Sequence, residues 1–253
     1  MGAVFFAVRK ILADCEFETF ITTNSKICQS DSAITLCTGS APWSNRLREA
    51  VLKTAGDYVI LLLDDFFFQD YVDSSEIKRI LDIMESEKDI GAFYFKHSTG
   101  QNSSVSEYGN YIKMIPSKKY IINFQAGLWR KSALLDLIPP NMSAWDIEES
   151  ITLEDDCKYR FYCPSSGNYI SCKGDVFPYL WALQSGYGIC KSKWLWNNKK
   201  LFKKENIKVH YDKLRVKSKL SYDLDTIKRR FKARLSTFLN YRKKEKQNES
   251  FHK

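Results

Sequence analysis

Tyr58–Leu63 reads YVILLL, an unbroken apolar run that stops at two adjacent carboxylates, Asp64 and Asp65. A run with no polar face is the pattern of a strand buried on both sides in a mostly parallel sheet, and such a sheet needs helices to cover it. The neighbouring segments supply them. Asn45–Thr54 carries Leu47, Ala50, Val51 and Thr54 at helical spacing, behind Ser44 as a good N-cap. Residues 74–88 place Ile77, Ile80, Leu81 and Met84 on one side of a second helix, and Ile90–Phe95 returns to strand character. Phe17–Thr22 (FETFIT) and Ala33–Thr38 read as short strands upstream. The rhythm predicts an α/β fold, a mostly parallel sheet flanked by helices.

The rest of the chain is less regular. Residues 3–13 read as a helix, and the polar stretch 97–120, with Gly100 and Gly109, as a loop or short hairpin. Asn123–Trp129 leads into a helix over Lys131–Leu137 that Pro139-Pro140 ends. Trp145–Asp156 carries six carboxylates among twelve residues, and 157–190 is dotted with Gly and Cys between short strand-like runs.

Charge separates the chain into two parts. The formal charge of +9 is carried by residues 201–253, where 17 Lys/Arg stand against 6 Asp/Glu, while residues 1–200 hold 22 against 24. Leu220, Leu224, Ile227, Phe231, Leu235 and Phe238 form one helical stripe in that segment, with Lys228, Arg229, Arg230, Lys232 and Arg234 around it. Such a helix suits peripheral contact with an anionic membrane over 215–241, or packing on its own domain with a solvated basic face. The boundary is expected near 210/211, with a basic helix and tail over 211–253.

Seven cysteines with no CxxC pair argue against a zinc ribbon or a complete disulfide framework, so reduced, mostly buried thiols are expected. The longest apolar runs, Ala3–Val8 and Val59–Leu63, fall far short of the ~20 residues of a membrane span. The opening MGAVFFAVRK has too short an apolar stretch for a secretory signal, and a cytoplasmic protein, peripheral on the inner face of the membrane if the tail docks there, is expected.

Asp64-Asp65 is the first candidate site, because ligands in open α/β sheets bind at the carboxyl ends of strands. Carboxylate oxygens suit Mg²⁺ or Mn²⁺, and side-chain alternation lets one of the pair reach the ion while the other positions a ribose or the loop. Solvated carboxylates at a strand end are the competing reading. Phe66-Phe67-Phe68 behind them is expected to pack in the core rather than to stack a ligand. The second candidate is Glu148 beside Trp145: a carboxylate can take the proton of an acceptor hydroxyl, and a Trp face can cover a sugar ring. An acidic loop exposed to water is the alternative there.

Four blocks in order, PWSNRLREAVLKTAGDYVILLLDDFFF (42–68), NFQAGLWRKSALLDLI (123–138), AWDIEES (144–150) and CKSKWLWNNKKLFKKENIKV (190–209), resemble bacterial GT-A-type, family 2-like glycosyltransferases of capsule and O-antigen synthesis. The resemblance implies a Rossmann-like GT-A domain over 1–210, a nucleotide-diphospho-sugar donor, a divalent metal and a saccharide acceptor on a lipid carrier. It assigns Asp64 and Asp65 to metal and donor diphosphate, and Gln125, Gly127 and Trp129 to the acceptor side, with Gly127 admitting a sugar close to backbone. Glu148 matches the acidic base, with Trp145 on the acceptor side, and Lys193 and Trp194 match a late segment closing over the diphosphate. Two departures stand out: the chain opens inside the helix that relatives place after a nucleotide-binding strand, so that strand is expected to be missing or shortened, and Ser192 precedes Lys193 where relatives favour Gly. An inverting transfer is expected, since a base carboxylate is visible and a covalent nucleophile is not.

Rival readings are a truncated, inactive remnant, a peripheral membrane scaffold, and a nucleotidyltransferase. The last lacks a phosphate loop, since residues 1–40 contain neither GxGxxG nor GxxxxGK[ST]. Nucleic-acid binding is disfavoured because the basic segment matches no motif and its aromatics are not interleaved with the charge. His97, His210 and His252 are scattered, which argues against histidine chemistry.

Overall fold

The computed structural model describes residues 17–29, 33–63, 71–98, 106–165, 193–204 and 215–228, together with 67, 101, 176, 189–190, 206 and 231. The chain groups into two compact units, Met1–Tyr187 and Gly188–Lys253. The helix expected over 3–13, the couplet Asp64-Asp65 with Phe66 and Phe68, and the stripe residues Leu235 and Phe238 lie outside the described residues.

In the first unit β1 (Phe20–Thr23) and β2 (Ile34–Cys37) form a parallel pair. A six-stranded sheet holds β3 (Tyr58–Leu61), β4 (Ile90–Tyr94), β5 (Ser106–Tyr108), β6 (Tyr111–Lys113), β7 (Gly127–Arg130) and β8 (Arg160–Pro164) in the order β3-β7-β4-β8-β6-β5. Its helices are α1 (Trp43–Lys53), α2 (Ser74–Ser86), α3 (Lys131–Leu137) and α4 (Ala144–Ser150).

The sheet is mixed, not mostly parallel. Only β4 and β8 run parallel as neighbours; β7 is antiparallel to both β3 and β4, and β5 and β6 form a hairpin antiparallel to β8. The hairpin turns at Gly109, whose φ of +67° is open to glycine and strained for other residues. The misreading has a physical cause. GLWR is as apolar as a central strand must be, but direction in a sheet leaves no mark on composition.

The YVILLL run is apolar because both faces are covered, although β3 occupies an edge and is only half-buried. Val59, Leu61 and Leu63 pack toward Val51 of α1 and Ala133 and Leu134 of α3. Tyr58, Ile60 and Leu62 pack toward Ile77, Ile80 and Met84 of α2. Phe67 is fully buried, as core packing required.

Capping differs from expectation at α1. The helix begins at Trp43, and Ser44 is buried inside its first turn, where its Oγ accepts from Met142 N–H at 3.0 Å while its own N–H donates to the Met142 carbonyl at 3.1 Å. A tertiary hydrogen bond took the hydroxyl that a local cap would have used. Asp73 caps α2 and Ser143 caps α4, each accepting the N–H three residues on. Of the cysteines, Cys28, Cys37, Cys157 and Cys163 are described as free thiols. Only Cys163 is buried, which pushes its thiol up to about 11, so the mostly buried thiols expected are not what these four positions show.

Arg130, at the end of β7, closes the carboxyl end of α2. Its guanidinium donates to the Met84, Glu87 and Ile90 carbonyls at 2.5, 3.1 and 3.0 Å and to the Tyr58 hydroxyl at 3.0 Å. Met84 and Glu87 belong to the carboxyl end of α2 and its cap, and Ile90 opens β4, so one guanidinium ties the helix end to two strands. Arg130→Ala is expected to cost about 2–3 kcal/mol in urea unfolding, since it removes several charge-assisted hydrogen bonds at once. Arg130→Lys should recover only part, because an ammonium cannot fork.

The amino edge of the sheet carries an ion cluster. Arg160, opening β8, donates to Asp89 at 2.5 Å and Glu87 at 2.7 Å, and Tyr162 donates to Glu107. In the second unit β9 (Ile189–Cys190), β10 (Lys193–Leu195) and β11 (Val216–Lys217) form a small sheet, α5 (Trp196–Lys204) follows β10, and 219–228 is helical. That unit starts before the 210/211 boundary read from charge. Among the described residues no helix is long and apolar enough to cross a membrane.

Candidate functional site at the carboxyl edge of the sheet

β7 brings the NFQAG segment to the carboxyl ends of two strands. Gly127 is the partner of both Leu61, the last residue of β3, and Tyr94, the last of β4, and Phe95 N–H donates to the Ala126 carbonyl at 2.8 Å. Residues 123–126 therefore border the edge at which the parallel-running β3, β4 and β8 end.

Glu148 joins this border from α4. Phe124 N–H donates to its Oε1 at 2.7 Å, and its own carbonyl accepts from Tyr120 N–H at 3.2 Å. Burial pushes the Glu148 carboxyl above its ordinary range, against the Phe124 hydrogen bond, and the neighbouring Glu149 adds to the rise. The other carboxyl groups with shifts are held low instead: Asp73 by the Ser75 hydroxyl, Asp89 by Arg160 and Asp136 by Lys158. A half-buried carboxyl shifted upward by burial is the kind of group that serves proton transfer.

The surrounding backbone is built to hold a fixed shape. Tyr120 stands at φ +61°, in the left-handed region, and its carbonyl accepts from Ser98 Oγ at 2.9 Å and Asn123 Nδ2 at 3.4 Å. Asn123 Oδ1 accepts from Gln125 N–H at 3.3 Å, and Tyr94 Oη donates to the Ile121 carbonyl at 2.9 Å. A bulky residue in that conformation persists only where neighbours over-determine it, and such strain gathers at functional sites. Ser98, Tyr120 and Asn123 escaped sequence reasoning. Asn123 sits inside a recognisable block, while nothing local marks Tyr120 or Ser98.

The expected site residues fall out as follows. Glu148, Gln125 and Gly127 share the edge. Gly127 is buried against Tyr94, where a Cβ would lie 2.9 Å from Tyr94 Cδ1, so packing alone requires glycine there. Trp129 is fully buried, its ring edge-on to Tyr94 at 5.6 Å and to Phe161 at 5.8 Å, and it has no surface to offer a ligand. Trp145, one turn from Glu148 on α4, is 72% exposed. Lys193 is exposed and Trp194 half-buried on β10 of the second unit, where the Trp194 ring meets Phe202 edge-on at 5.6 Å. Among the described residues no group of three or more His, Cys, Asp or Glu side chains is assembled for a metal, and Asp64 and Asp65 are not among them.

Comparison with protein-family models, curated proteins and solved structures finds no match.

Proposed function

We propose that this chain is a GT-A-like glycosyltransferase that moves a sugar from a nucleotide-diphospho-sugar to a saccharide acceptor, with inversion, in bacterial surface polysaccharide synthesis. The observation that carries the reading is Glu148: a half-buried carboxyl with raised pKa, pinned by Phe124 N–H near the carboxyl ends of β3 and β4. The four sequence blocks add support, since three of them meet at this edge.

In this reading the Glu148 carboxylate takes the acceptor hydroxyl proton. The acceptor oxygen bonds to the anomeric carbon, and the bond from that carbon to the diphosphate oxygen breaks, its electron pair leaving with the nucleotide diphosphate. One displacement inverts the centre. Gln125 and exposed Trp145 are the side chains available to orient the acceptor, while Gly127 and Trp129 shape the floor beneath. Asp64 and Asp65 supply hard oxygen donors of the kind Mg²⁺ or Mn²⁺ prefers. A cation there would offset charge on the departing diphosphate. Lys193 and Trp194 are assigned to the donor diphosphate by the same resemblance.

The test is thermal unfolding with UDP-, GDP- and dTDP-sugars, each with and without Mg²⁺ or Mn²⁺. One donor is expected to raise Tm by roughly 5 °C or more at 100-fold excess over Kd, in a metal-dependent manner that Asp65→Ala abolishes. No shift with any donor, or an equal shift in Asp65→Ala, overturns the reading.

A further inference from the structure

The helix over 219–228 in the second unit has two opposed faces. On one, Tyr222 is buried with its ring edge-on to Trp196 at 5.8 Å, and Thr226 Oγ1 donates to the Tyr222 carbonyl at 3.0 Å. Lys217, 4% exposed, lies 5.6 Å over the Tyr222 ring and pairs with Asp225 at 2.5 Å. These contacts fix which side of the helix faces its own unit.

The other side is apolar and open. At 100° per residue Leu220, Leu224, Ile227 and Phe231 fall within an arc of roughly 60°, about 180° from Tyr222. They are 70, 49, 62 and 70% exposed. An amphipathic helix docked on its own domain turns its Leu and Ile inward and its charges out. Here the inward face is Tyr, Thr and an ion pair, and the aliphatic stripe points away. The stripe's spacing continues in the sequence through Leu235 and Phe238. By the same spacing Lys219 and Lys228 flank it, inside a segment carrying 17 Lys/Arg against 6 Asp/Glu.

We propose that this face lies in the interface of an anionic lipid bilayer, with Leu220, Leu224, Ile227 and Phe231 among the acyl chains and the flanking lysines at the headgroups. The charge argues for this occupant: a basic rim around an apolar stripe complements anionic headgroups over hydrocarbon, whereas a second copy would bring one positive rim against another. Long basic side chains lie along apolar surface with their heads at the charged layer. The inference stands apart from the transferase reading and needs no sugar chemistry.

The test floats the full chain on phosphatidylcholine vesicles with and without about one-third phosphatidylglycerol. Wild type is expected to partition at least 10-fold better onto the anionic vesicles, and 0.5 M salt to remove most of that preference. Leu224→Glu with Ile227→Glu should lower partitioning at least 10-fold, and Lys219→Gln with Lys228→Gln several-fold, with Tm unchanged in both double variants. Equal flotation of wild type and the stripe variant overturns the proposal. So does a Tm loss in the stripe variant, which would mean that the folded chain covers the stripe. Sedimentation as a dimer that the stripe variant dissociates also overturns it, in favour of a second copy.

Discussion

Glu148→Gln is expected to cut sugar transfer about 10²–10⁴-fold while leaving donor-induced stabilisation intact, the loss typical of removing a positioned general base. Gln keeps an oxygen for Phe124 N–H, so the site keeps its shape and loses only the proton acceptor. The pH dependence follows from burial. Because the folded-state carboxyl lies above 4.5, transfer by the wild type should fall as pH drops through that raised value, with its acid limb above 4.5. Stability runs the other way. Between 4.5 and the raised value the unfolded chain has released the proton and the folded chain has not, so wild-type stability falls as pH rises through that window. Glu148→Gln lacks this group and should gain on wild type across the same window in urea unfolding. Full transfer activity in Glu148→Gln, with the stability difference present, would reject the base assignment and leave Glu148 a buried acid.

Trp129→Ala is expected to lower stability by about 3–5 kcal/mol, the cost of emptying a large, fully enclosed aromatic site. Trp129 is the largest fully buried side chain among the described residues, in β7 between Tyr94 and Phe161, in the cluster that joins α1, α3 and α4 to the sheet. Its indole N–H has no partner among the described residues, so Trp129→Phe should lose much less than Trp129→Ala, since it removes that stranded donor while keeping most of the ring packing. Chemical unfolding measures both. If Trp129 instead touched the acceptor, Trp129→Phe would raise the acceptor KM with stability nearly unchanged, an outcome the burial argues against.

Local signals located the elements well where packing was two-sided. The apolar run of β3, the one-sided stripe of α2 and the Pro139-Pro140 stop behind α3 were legible because each records, residue by residue, which side meets the core. The acidic segment at 145–156 was less so. Its first half is the short helix α4, capped by Ser143, with only Ile147 buried, too brief for a periodic pattern to show. At the candidate site Glu148 stood out as a carboxylate beside a Trp, but its partner, Phe124 N–H, lies in another block 24 residues away. Tyr120 could not have been found, since a left-handed tyrosine is imposed by Ser98 and Asn123 holding its carbonyl.

Hydrophobic pattern alone was enough to establish an α/β chain with helices packed on a sheet and an apolar stripe along the helix over 219–228. Strand direction, the insertion of β7 between β3 and β4, the burial of Trp129 and the outward turn of the 220–231 stripe belong to the tertiary structure. The reason is the range of the interactions. Period and capping are written in residues a few places apart, while strand direction and helix rotation are chosen by partners far away in the chain, such as Leu61 with Gly127 or Tyr222 with Trp196.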